Sequence, residues 1–347
     1  MKINIMTMQT APNFHAGQKA PSDIIEILKQ DYQVRTTFFD EQKTKNPVKK
    51  ITKRLKYAYE FIKARLRGEI VILQFPLPEV SNILNKIFIF NMSFLNKKKT
   101  IILIHDLNGL RFQDNSLYKR EIARLNKVNY IIVHNDIMKK KLKESGVNKK
   151  MYSLGIFDYL CNNTSKTTTK KNEDKIKIVY AGNLVKEKSP FIHEISKNNI
   201  NYILNLYGVG INKDLAPNII YKGKYSADEL PSKLDGDLGL IWDGKADTSD
   251  ENYQMKNYTK YNNPHKLSCY MAAGLPVIVW EKSAISKFVK DNNIGYTIKK
   301  IDDINTLDFS DLKEKAENVK KIEEKVQNGE YTKSVIKKIL KDMGEIK

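Results

Sequence analysis

Short apolar runs alternate with segments of helical period along most of the chain. Runs rich in Ile, Val, Leu and Tyr predict strands, and strands separated by helices are typical of βαβ units with a parallel sheet. In the first half, the predicted strands lie near residues 3–7, 34–39, 70–74, 100–104, 130–133 and 152–155. The alternation then restarts, with predicted strands near residues 176–180, 202–207, 219–221, 238–242, 277–280 and 296–298. The pattern therefore predicts an α/β protein with two Rossmann-like halves.

A polar segment separates the two halves. Residues 162–174 (NNTSKTTTKKNED) contain no apolar side chain, so they have nothing to bury and are typical of a linker. We therefore expect an N-terminal Rossmann-like domain over residues 1–160, a linker over 161–175 and a second Rossmann-like domain over 176–320. Residues 321–347 are charged and helical in period. They predict a C-terminal helix that could pack back on the first domain.

Hydropathy and cysteine content argue against several classes of protein. The longest apolar stretches, near residues 83–94 and 101–104, are interrupted by polar residues or fall short of the ~20 residues of a membrane span. Met1 leads directly into a strand-like alternation, without the basic and apolar regions of a signal peptide. Cys161 and Cys269 lie far apart, without the spacing of a zinc site or a disulfide framework. We therefore expect a cytoplasmic protein without a membrane span.

The positive charge is concentrated in the first half. The chain has a formal net charge of +20, and residues 1–157 hold 29 Lys and Arg against 13 Asp and Glu. Residues 43–67 alone hold ten Lys and Arg and one acidic residue, while apolar residues recur at helical spacing at Val48, Ile51, Leu55, Tyr59 and Ile62. The segment predicts a basic amphipathic helix. Two interpretations remain open for this helix. In one, its apolar face packs on the first sheet; in the other, its basic face contacts anionic lipid at the inner face of the cell membrane.

A helix start in the second half offers a site for an anion. Asn263 followed by Pro264 predicts an N-cap and a first helical residue, and Gly274 predicts the end of this helix. Helix N-termini carry free amides and a partial positive charge, and Lys266 adds a full charge in the first turn. A nucleotide diphosphate would fit this arrangement. The alternative is an ordinary α/β turn in which Lys266 is a solvated side chain.

Three further segments follow predicted strands of the second half, where α/β sheets present ligands. Gly182 and Asn183 form a βα turn with Lys186 and Lys188 beside it, and these cations could clamp phosphate. Tyr207 could flank a base, and Asp243 could hold a sugar hydroxyl. Each has a structural alternative: a tight turn without a ligand, an ordinary aromatic residue at a strand end, and a carboxylate that starts a turn.

Candidate catalytic residues follow the predicted strand 100–104 of the first half. Asp106 is the first candidate for the base that accepts a proton from an attacking hydroxyl, and His105 is the second. Alternatively, Asp106 caps the following turn and His105 packs. The loop after the first strand contains Gly17, which allows close approach of the backbone to a ligand. We therefore expect this loop to border a bound substrate, either the donor or the acceptor of a transferred group.

Several segments together resemble one family, over nearly the whole chain. In order they are AGQKAPSD, IHDLNGLR, VHND, LGIFDYL, AGNLVKEKSPF, LYG, GLIWDG and NNPHKLSCYMAAGLPVIVW. They are similar to the bacterial GT-B glycosyltransferases that include the Gtf3-type glucosyltransferases of adhesin glycosylation and the galactofuranosyltransferases of capsule gene clusters. The resemblance implies the GT-B fold, in which two Rossmann-like domains face each other across a cleft. It also implies a UDP-sugar donor, homo-oligomers and no required metal or other cofactor.

The last of these segments resembles the donor-site helix of GT-B enzymes. The resemblance assigns the nucleotide-sugar site to Asn262, Asn263, His265, Lys266 and Leu267. The common version has a Glu just before Tyr-Met-Ala, which holds the nucleotide ribose, and Cys269 occupies that position here. A thiol is a poor substitute for a carboxylate acceptor, so ribose binding must be arranged differently.

These observations favour a UDP-sugar-dependent glycosyltransferase. We expect it to transfer glucose or galactofuranose to a glycan acceptor, lipid-linked or on a protein, in surface polysaccharide or glycoprotein biosynthesis. One alternative is a GT-B protein that binds a partner and has lost donor chemistry. A weaker alternative is a basic nucleic-acid-binding protein, but no recognised module accompanies the charge, so nucleic acid is not an expected partner.

Overall fold

The structure of the protein is a computed structural model that describes residues 1–9, 16–40, 46–76, 99–161, 175–195, 200–211, 215–247 and 254–347. The chain divides into two compact units. The first unit contains Met1–Asn13, Ala20–Gly155 and Tyr331–Lys347, and the second contains Phe14–Lys19 and Ile156–Glu330. The predicted linker over 161–175 lies almost entirely outside the described residues.

The first unit is built on a parallel sheet with strand order β2-β1-β3-β4-β5-β6. Its elements up to residue 155 are β1 (Lys2–Gln9), α1 (Lys19–Asp31), β2 (Gln33–Asp40), α2 (Pro47–Leu66), β3 (Ile70–Phe75), β4 (Thr100–Ile104), α3 (Asn108–Arg111), α4 (Asn115–Leu125), β5 (Tyr130–Val133), α5 (Asp136–Glu144) and β6 (Lys150–Ser153). The central strands β3, β4 and β5 are buried along their whole length, which is why they read as continuous apolar runs.

The second unit repeats this architecture, with strand order β12-β11-β10-β7-β8-β9 and parallel pairing throughout. Its elements are β7 (Lys177–Asn183), α6 (Pro190–Ile195), β8 (Ile203–Val209), β9 (Ile219–Gly223), α7 (Leu230–Lys233), β10 (Leu238–Ile241), α8 (Gln254–Thr259), α9 (His265–Ala272), β11 (Val277–Trp280), α10 (Ser286–Asp291), β12 (Gly295–Ile298) and α11 (Leu312–Gln327). The predicted α/β class and all of the predicted strands are confirmed, with end points that shift by at most three residues.

The C-terminal helix α12 (Glu330–Met343) belongs to the first unit from Tyr331 onwards. The Tyr130 hydroxyl donates a hydrogen bond to the Asp342 carbonyl at 3.2 Å. The Lys150 ammonium lies 3.3 Å from the Asp342 carboxylate, and Lys99 pairs with Glu345 at 2.7 Å. The first unit therefore contains both ends of the described chain.

The start of α9 is one residue later than predicted, because the N-cap is Pro264 and not Asn263. Pro264 has an extended backbone, with φ −66° and ψ 136°, so it occupies the N-cap position and the helical dihedrals begin at His265. No side chain caps this end of α9. The predicted end is confirmed, because Gly274 follows the helix with φ +66°, a conformation that favours glycine.

Helix α2 forms where the basic segment predicts it, but its apolar face is not packed on the sheet. Four of its five predicted residues are exposed and Ile62 is half-buried: the exposed ones are Val48, Ile51, Leu55 and Tyr59. The helix instead buries Tyr57, Phe61 and Ala64. Periodicity defines an apolar face without defining what covers it, which is why the expectation failed. Over the described part of the chain, no helix combines the length and apolarity needed to cross a membrane.

Candidate functional site

The candidate nucleotide site lies where the strand order of the second sheet reverses. The chain runs outward from β7 through β8 to β9 and then returns to place β10 on the other side of β7. At such a switch point the loops after the two central strands diverge and leave room for a ligand. Gly182 and Asn183 end β7, and Asp243 follows β10 by two residues. The start of α9 supplies Lys266 to the same place.

Lys266 is held by groups from both sides of the switch point. Its Nζ donates hydrogen bonds to the Tyr180 hydroxyl at 2.9 Å and the Trp242 carbonyl at 3.3 Å, and lies 3.4 Å from Asp243 Oδ1. It also lies 4.2 Å from the Tyr180 ring centroid. Burial alone would lower the pKa of Lys266, but Asp243 and Tyr180 outweigh it and raise the pKa above its ordinary value. The ammonium therefore remains charged.

Glycines allow the backbone and Lys266 to approach closely. A Cβ on Gly182 would lie 3.1 Å from Lys266 Cε, and a Cβ on Gly208 would lie 1.8 Å from the Gly182 carbonyl oxygen. Gly208 also has φ +142°, which side-chain-bearing residues rarely adopt. The close approach of the backbones at the ends of β7 and β8 therefore depends on these two glycines.

Polar groups at the start of α9 lack partners among the described residues. Asn262 Oδ1 and both ring nitrogens of His265 are buried without a hydrogen bond. Buried polar atoms are nearly always hydrogen-bonded in folded proteins, so a ligand or water at this helix start could supply the missing partners. Asn263 is itself buried, and Leu267 is in the core with its amide bonded to the Pro264 carbonyl.

His265 lies in an aromatic setting that keeps it neutral. Its ring centroid is 5.0 Å from that of Tyr159 and 6.0 Å from that of Phe157. Burial, reinforced by the nearby Lys19 charge, lowers the pKa of His265 to about 3. A neutral imidazole has one donor and one acceptor nitrogen, so it can bind a polar ligand without adding charge.

The other residues that were predicted to bind the nucleotide sugar already have contacts within the protein. Asn183 is exposed, and its side-chain oxygen accepts a hydrogen bond from the Val185 amide at 3.1 Å. Lys186 is exposed in the same turn. Tyr207 is buried, and its hydroxyl donates to the Lys233 carbonyl at 3.0 Å and accepts from the Asp235 amide at 2.9 Å. This environment matches the structural alternative for Tyr207, because no face of the ring is open to a base.

The candidate catalytic pair lies at the carboxyl end of β4 in the first unit. Asp106 Oδ2 accepts a hydrogen bond from Arg111 Nη1 at 2.9 Å, and both side chains are about one third exposed. His105 Nε2 lies 2.6 Å from Gln74 Oε1, and Gln74 Nε2 donates to the Pro21 carbonyl at 3.1 Å. Because the Gln74 amide donates to Pro21, its oxygen faces His105 and the His105 Nε2 atom carries the hydrogen.

A buried carboxylate holds the loop that carries this pair. Glu121 accepts hydrogen bonds from the Asn108 amide at 2.9 Å and the Gly109 amide at 3.0 Å, at the start of α3. Burial raises the pKa of Glu121 to about 7, although both amides favour the ionised form. Below the loop, His134 is buried and its Nε2 lies 3.1 Å from the Ile104 carbonyl.

Gly17, by contrast, is exposed in a short 3₁₀ turn of the second unit, with open space where a side chain would lie.

Comparison with known proteins assigns the family. The N-terminal domain model of the glucosyltransferase 3-like family matches residues 2–156, and its C-terminal domain model matches residues 178–339. The chain belongs to the glucosyltransferase 3-like family. The β-1,6-galactofuranosyltransferase WbbI of Escherichia coli (strain K12) is 31% identical over 287 residues, which cover 79% of this chain and 80% of that protein. Glucosyltransferase 3 of Streptococcus gordonii is 24% identical over 346 residues, 97% of each chain.

Solved structures give the same fold. The lipopolysaccharide outer core galactosyltransferase WaaB superposes with a TM-score of 0.59 at 15% identity, over 97% of this chain and 99% of that one. A sucrose-phosphate synthase from Thermosynechococcus elongatus superposes with a TM-score of 0.56 at 12% identity, over 99% and 97%. This member of the glucosyltransferase 3-like family has the GT-B fold, and it is a glycosyltransferase.

Cys269 and a pair of aspartates bear on how this glucosyltransferase 3-like chain binds its substrate. Cys269 is buried, and burial raises the pKa of its thiol to about 12, so it presents neither a thiolate nor a ribose acceptor to the site. The chain also contains an Asp-x-Asp sequence, Asp235-Gly236-Asp237, whose two carboxylates are the kind of ligand that a divalent metal ion prefers. These carboxylates precede β10, at the opposite end of the strand from Asp243. Asp235 accepts a hydrogen bond from Lys222 Nζ at 3.0 Å, and Asp237 accepts one from the Lys177 amide at 2.8 Å.

Sequence reasoning missed the residues that orient the site. Tyr180, Gln74 and Glu121 contact segments 13 or more residues away in the chain, and Arg111 contacts Asp106 across the turn between β4 and α3. No short motif marks such contacts. The only available signal was that each polar residue interrupts or adjoins an apolar segment, as Gln74 does at the end of β3.

Proposed function

We propose that the second unit binds a UDP-sugar at the start of α9, with the diphosphate at the helix N-terminus and beside Lys266. The observation that carries the proposal is the set of three buried polar atoms without partners on Asn262 and His265, next to a charged lysine. A ligand with hydroxyl, carbonyl and phosphate groups would satisfy them. Free amides in the first turn of the helix favour the same anion.

The proposed reaction uses positive charge from the protein in place of a metal ion. As the sugar leaves, negative charge builds up on the UDP diphosphate, and Lys266 with the α9 amides stabilises it. Asp243, 3.4 Å from Lys266, would bind a sugar hydroxyl. The acceptor hydroxyl attacks the anomeric carbon, its proton passes to Asp106 or, failing that, His105, and the bond from sugar to UDP breaks.

The relatives suggest the sugar and the setting. Their names specify glucosyl and galactofuranosyl transfer, so we extend glucose or galactofuranose to this chain as the transferred group. The acceptor would be a glycan, lipid-linked or on a protein. The family resemblance also supports a homo-oligomer, which light scattering on the purified chain would test.

Calorimetric titration with UDP tests the site. Lys266→Ala removes a charge-assisted contact worth on the order of 1.5–3 kcal/mol, so the Kd for UDP should rise by roughly 10-fold to 150-fold. Lys290→Ala, which removes an exposed lysine from α10, is the matched control and should bind UDP like the wild type. Equal UDP affinity in the wild type and Lys266→Ala would place the nucleotide elsewhere.

Transfer assays with UDP-glucose and UDP-galactofuranose test the reaction. Activity should survive EDTA, and loss of transfer that manganese restores would contradict the metal-free proposal. Tight UDP binding without transfer from either donor would contradict the proposed donor sugars.

A further inference from the structure

Helix α2 has an exposed apolar stripe formed by Val48, Ile51, Leu55, Tyr59 and Leu66. Their spacing of three, four, four and seven residues places them on one face of the helix, over its whole length. Each is between 44% and 76% exposed. An apolar stripe of this length is more than the scattered exposed apolar residues that protein surfaces normally carry.

A different face of α2 attaches the helix to the first unit. Tyr57, Phe61 and Ala64 are buried, and the Tyr57 ring meets the Phe39 ring of β2 edge to face at 4.9 Å between centroids. Arg65 on this side donates hydrogen bonds to the Glu69 and Lys99 carbonyls at 2.9 and 3.0 Å. The helix is thus anchored without using the apolar stripe.

A row of lysines runs beside the apolar stripe. Lys49, Lys56 and Lys63 recur every seven residues, so they occupy one flank of the helix. Lys49 and Lys56 are exposed, and the Lys63 ammonium lies 5.4 Å from the Tyr59 ring centroid. Lysine side chains in this position can lay their aliphatic stems along apolar surface while the ammonium reaches outward.

The charge on α2 decides between possible occupants of the stripe. The helix sequence contains seven Lys and Arg and one Glu, in a chain of net charge +20, so two copies that met through this face would repel each other. A nucleic acid would match the charge but not a continuous stripe of aliphatic and aromatic side chains. An anionic bilayer matches both, because its acyl boundary accepts apolar side chains and its phosphates accept lysines.

We infer that α2 docks the first unit on an anionic lipid surface, lying in the plane of the interface with its apolar stripe inserted. This surface is distinct from the nucleotide site of the second unit, so the inference does not depend on the identity of the donor. It would bring the protein to the membrane that carries a lipid-linked acceptor.

Co-sedimentation of the full chain with lipid vesicles tests the inference. We expect binding to phosphatidylcholine vesicles that contain phosphatidylglycerol, and not to pure phosphatidylcholine. Replacing Leu55 and Tyr59 together by Ser should reduce binding more than 10-fold. Replacing Lys49, Lys56 and Lys63 by Gln should reduce it by about fivefold per lysine and weaken its salt dependence.

Matched variants on other surfaces serve as controls. Ile220→Ser with Tyr221→Ser removes two exposed apolar residues from β9, and Gln at Lys313, Lys320 and Lys321 neutralises three exposed lysines of α11. Both should bind vesicles like the wild type. UDP binding by the α2 variants should be unchanged, which separates this inference from the proposed donor site.

Three results would overturn the inference. Undiminished vesicle binding by the Leu55 and Tyr59 double variant would show that the stripe does not insert. A fall of many degrees in the melting temperature of that variant would show that the stripe is packed inside the protein. A lower oligomeric mass of the variant in light scattering would show that a second copy covers the stripe.

Discussion

The Asp106–Arg111 pair allows a direct test of the proposed base. Asp106→Asn keeps the shape of the side chain and removes its basicity, so turnover should fall by about 10²–10⁴, equivalent to roughly 3–5 kcal/mol of activation free energy. The lost ion pair with Arg111 is about one third exposed, and such pairs stabilise proteins by only about 0.2–1 kcal/mol. Partial unfolding therefore cannot account for a rate loss of this size.

Arg111→Gln is the matched control, because it breaks the same ion pair and leaves the carboxylate in place. UDP release would be measured with saturating donor and acceptor, alongside UDP affinity and the melting temperature. We expect Arg111→Gln to retain turnover within about tenfold of the wild type. If Arg111→Gln loses as much activity as Asp106→Asn, the pair positions the loop and Asp106 is not the base.

Two further predictions concern buried polar contacts. Burial raises the pKa of Glu121 from 4.5 to about 7, so its contribution to stability is complete below pH 4.5 and is lost as the pH rises through 7. Between about pH 5 and pH 8, the urea unfolding free energy of the wild type should therefore fall by roughly 3 kcal/mol relative to Glu121→Gln, and parallel pH profiles would contradict this. Tyr270→Phe removes a hydroxyl that accepts from the Ala181 amide at 2.8 Å and donates to the Leu240 carbonyl at 3.2 Å. Calorimetry should show a free energy of unfolding that is lower by about 1–3 kcal/mol, whereas an unchanged melting temperature would mean that water replaces the hydroxyl.

The strands were predictable because burial and sequence pattern coincide in a parallel sheet. Strands such as β4 and β11 are covered on both faces, so every residue is apolar or small and the run stands out without any knowledge of its neighbours. Helix ends were less predictable. Whether the N-cap of α9 is Asn263 or Pro264 depends on one ψ angle of Pro264, which the sequence does not determine.

The candidate site was predictable as a set of segments but not as a set of contacts. Lys266 was identified from its place after a helix start, whereas its contacts with Tyr180 and Asp243 depend on how three strands of the sheet are ordered. Similarly, Arg111 lies only five residues from Asp106, yet the pair forms because α3 turns back toward the end of β4. Such pairings are tertiary and leave no periodic signal.

The position of α12 affects the order in which the chain can fold during synthesis. The first unit needs Tyr331–Lys347 to complete it, and these residues leave the ribosome after all the other segments of both units. The second unit needs, apart from its short segment near residue 19, only Ile156–Glu330, so nearly all of its contacts are available earlier. The half of the protein that is translated first is therefore completed last, through contacts that join residues about 200 positions apart, such as Tyr130 with Asp342.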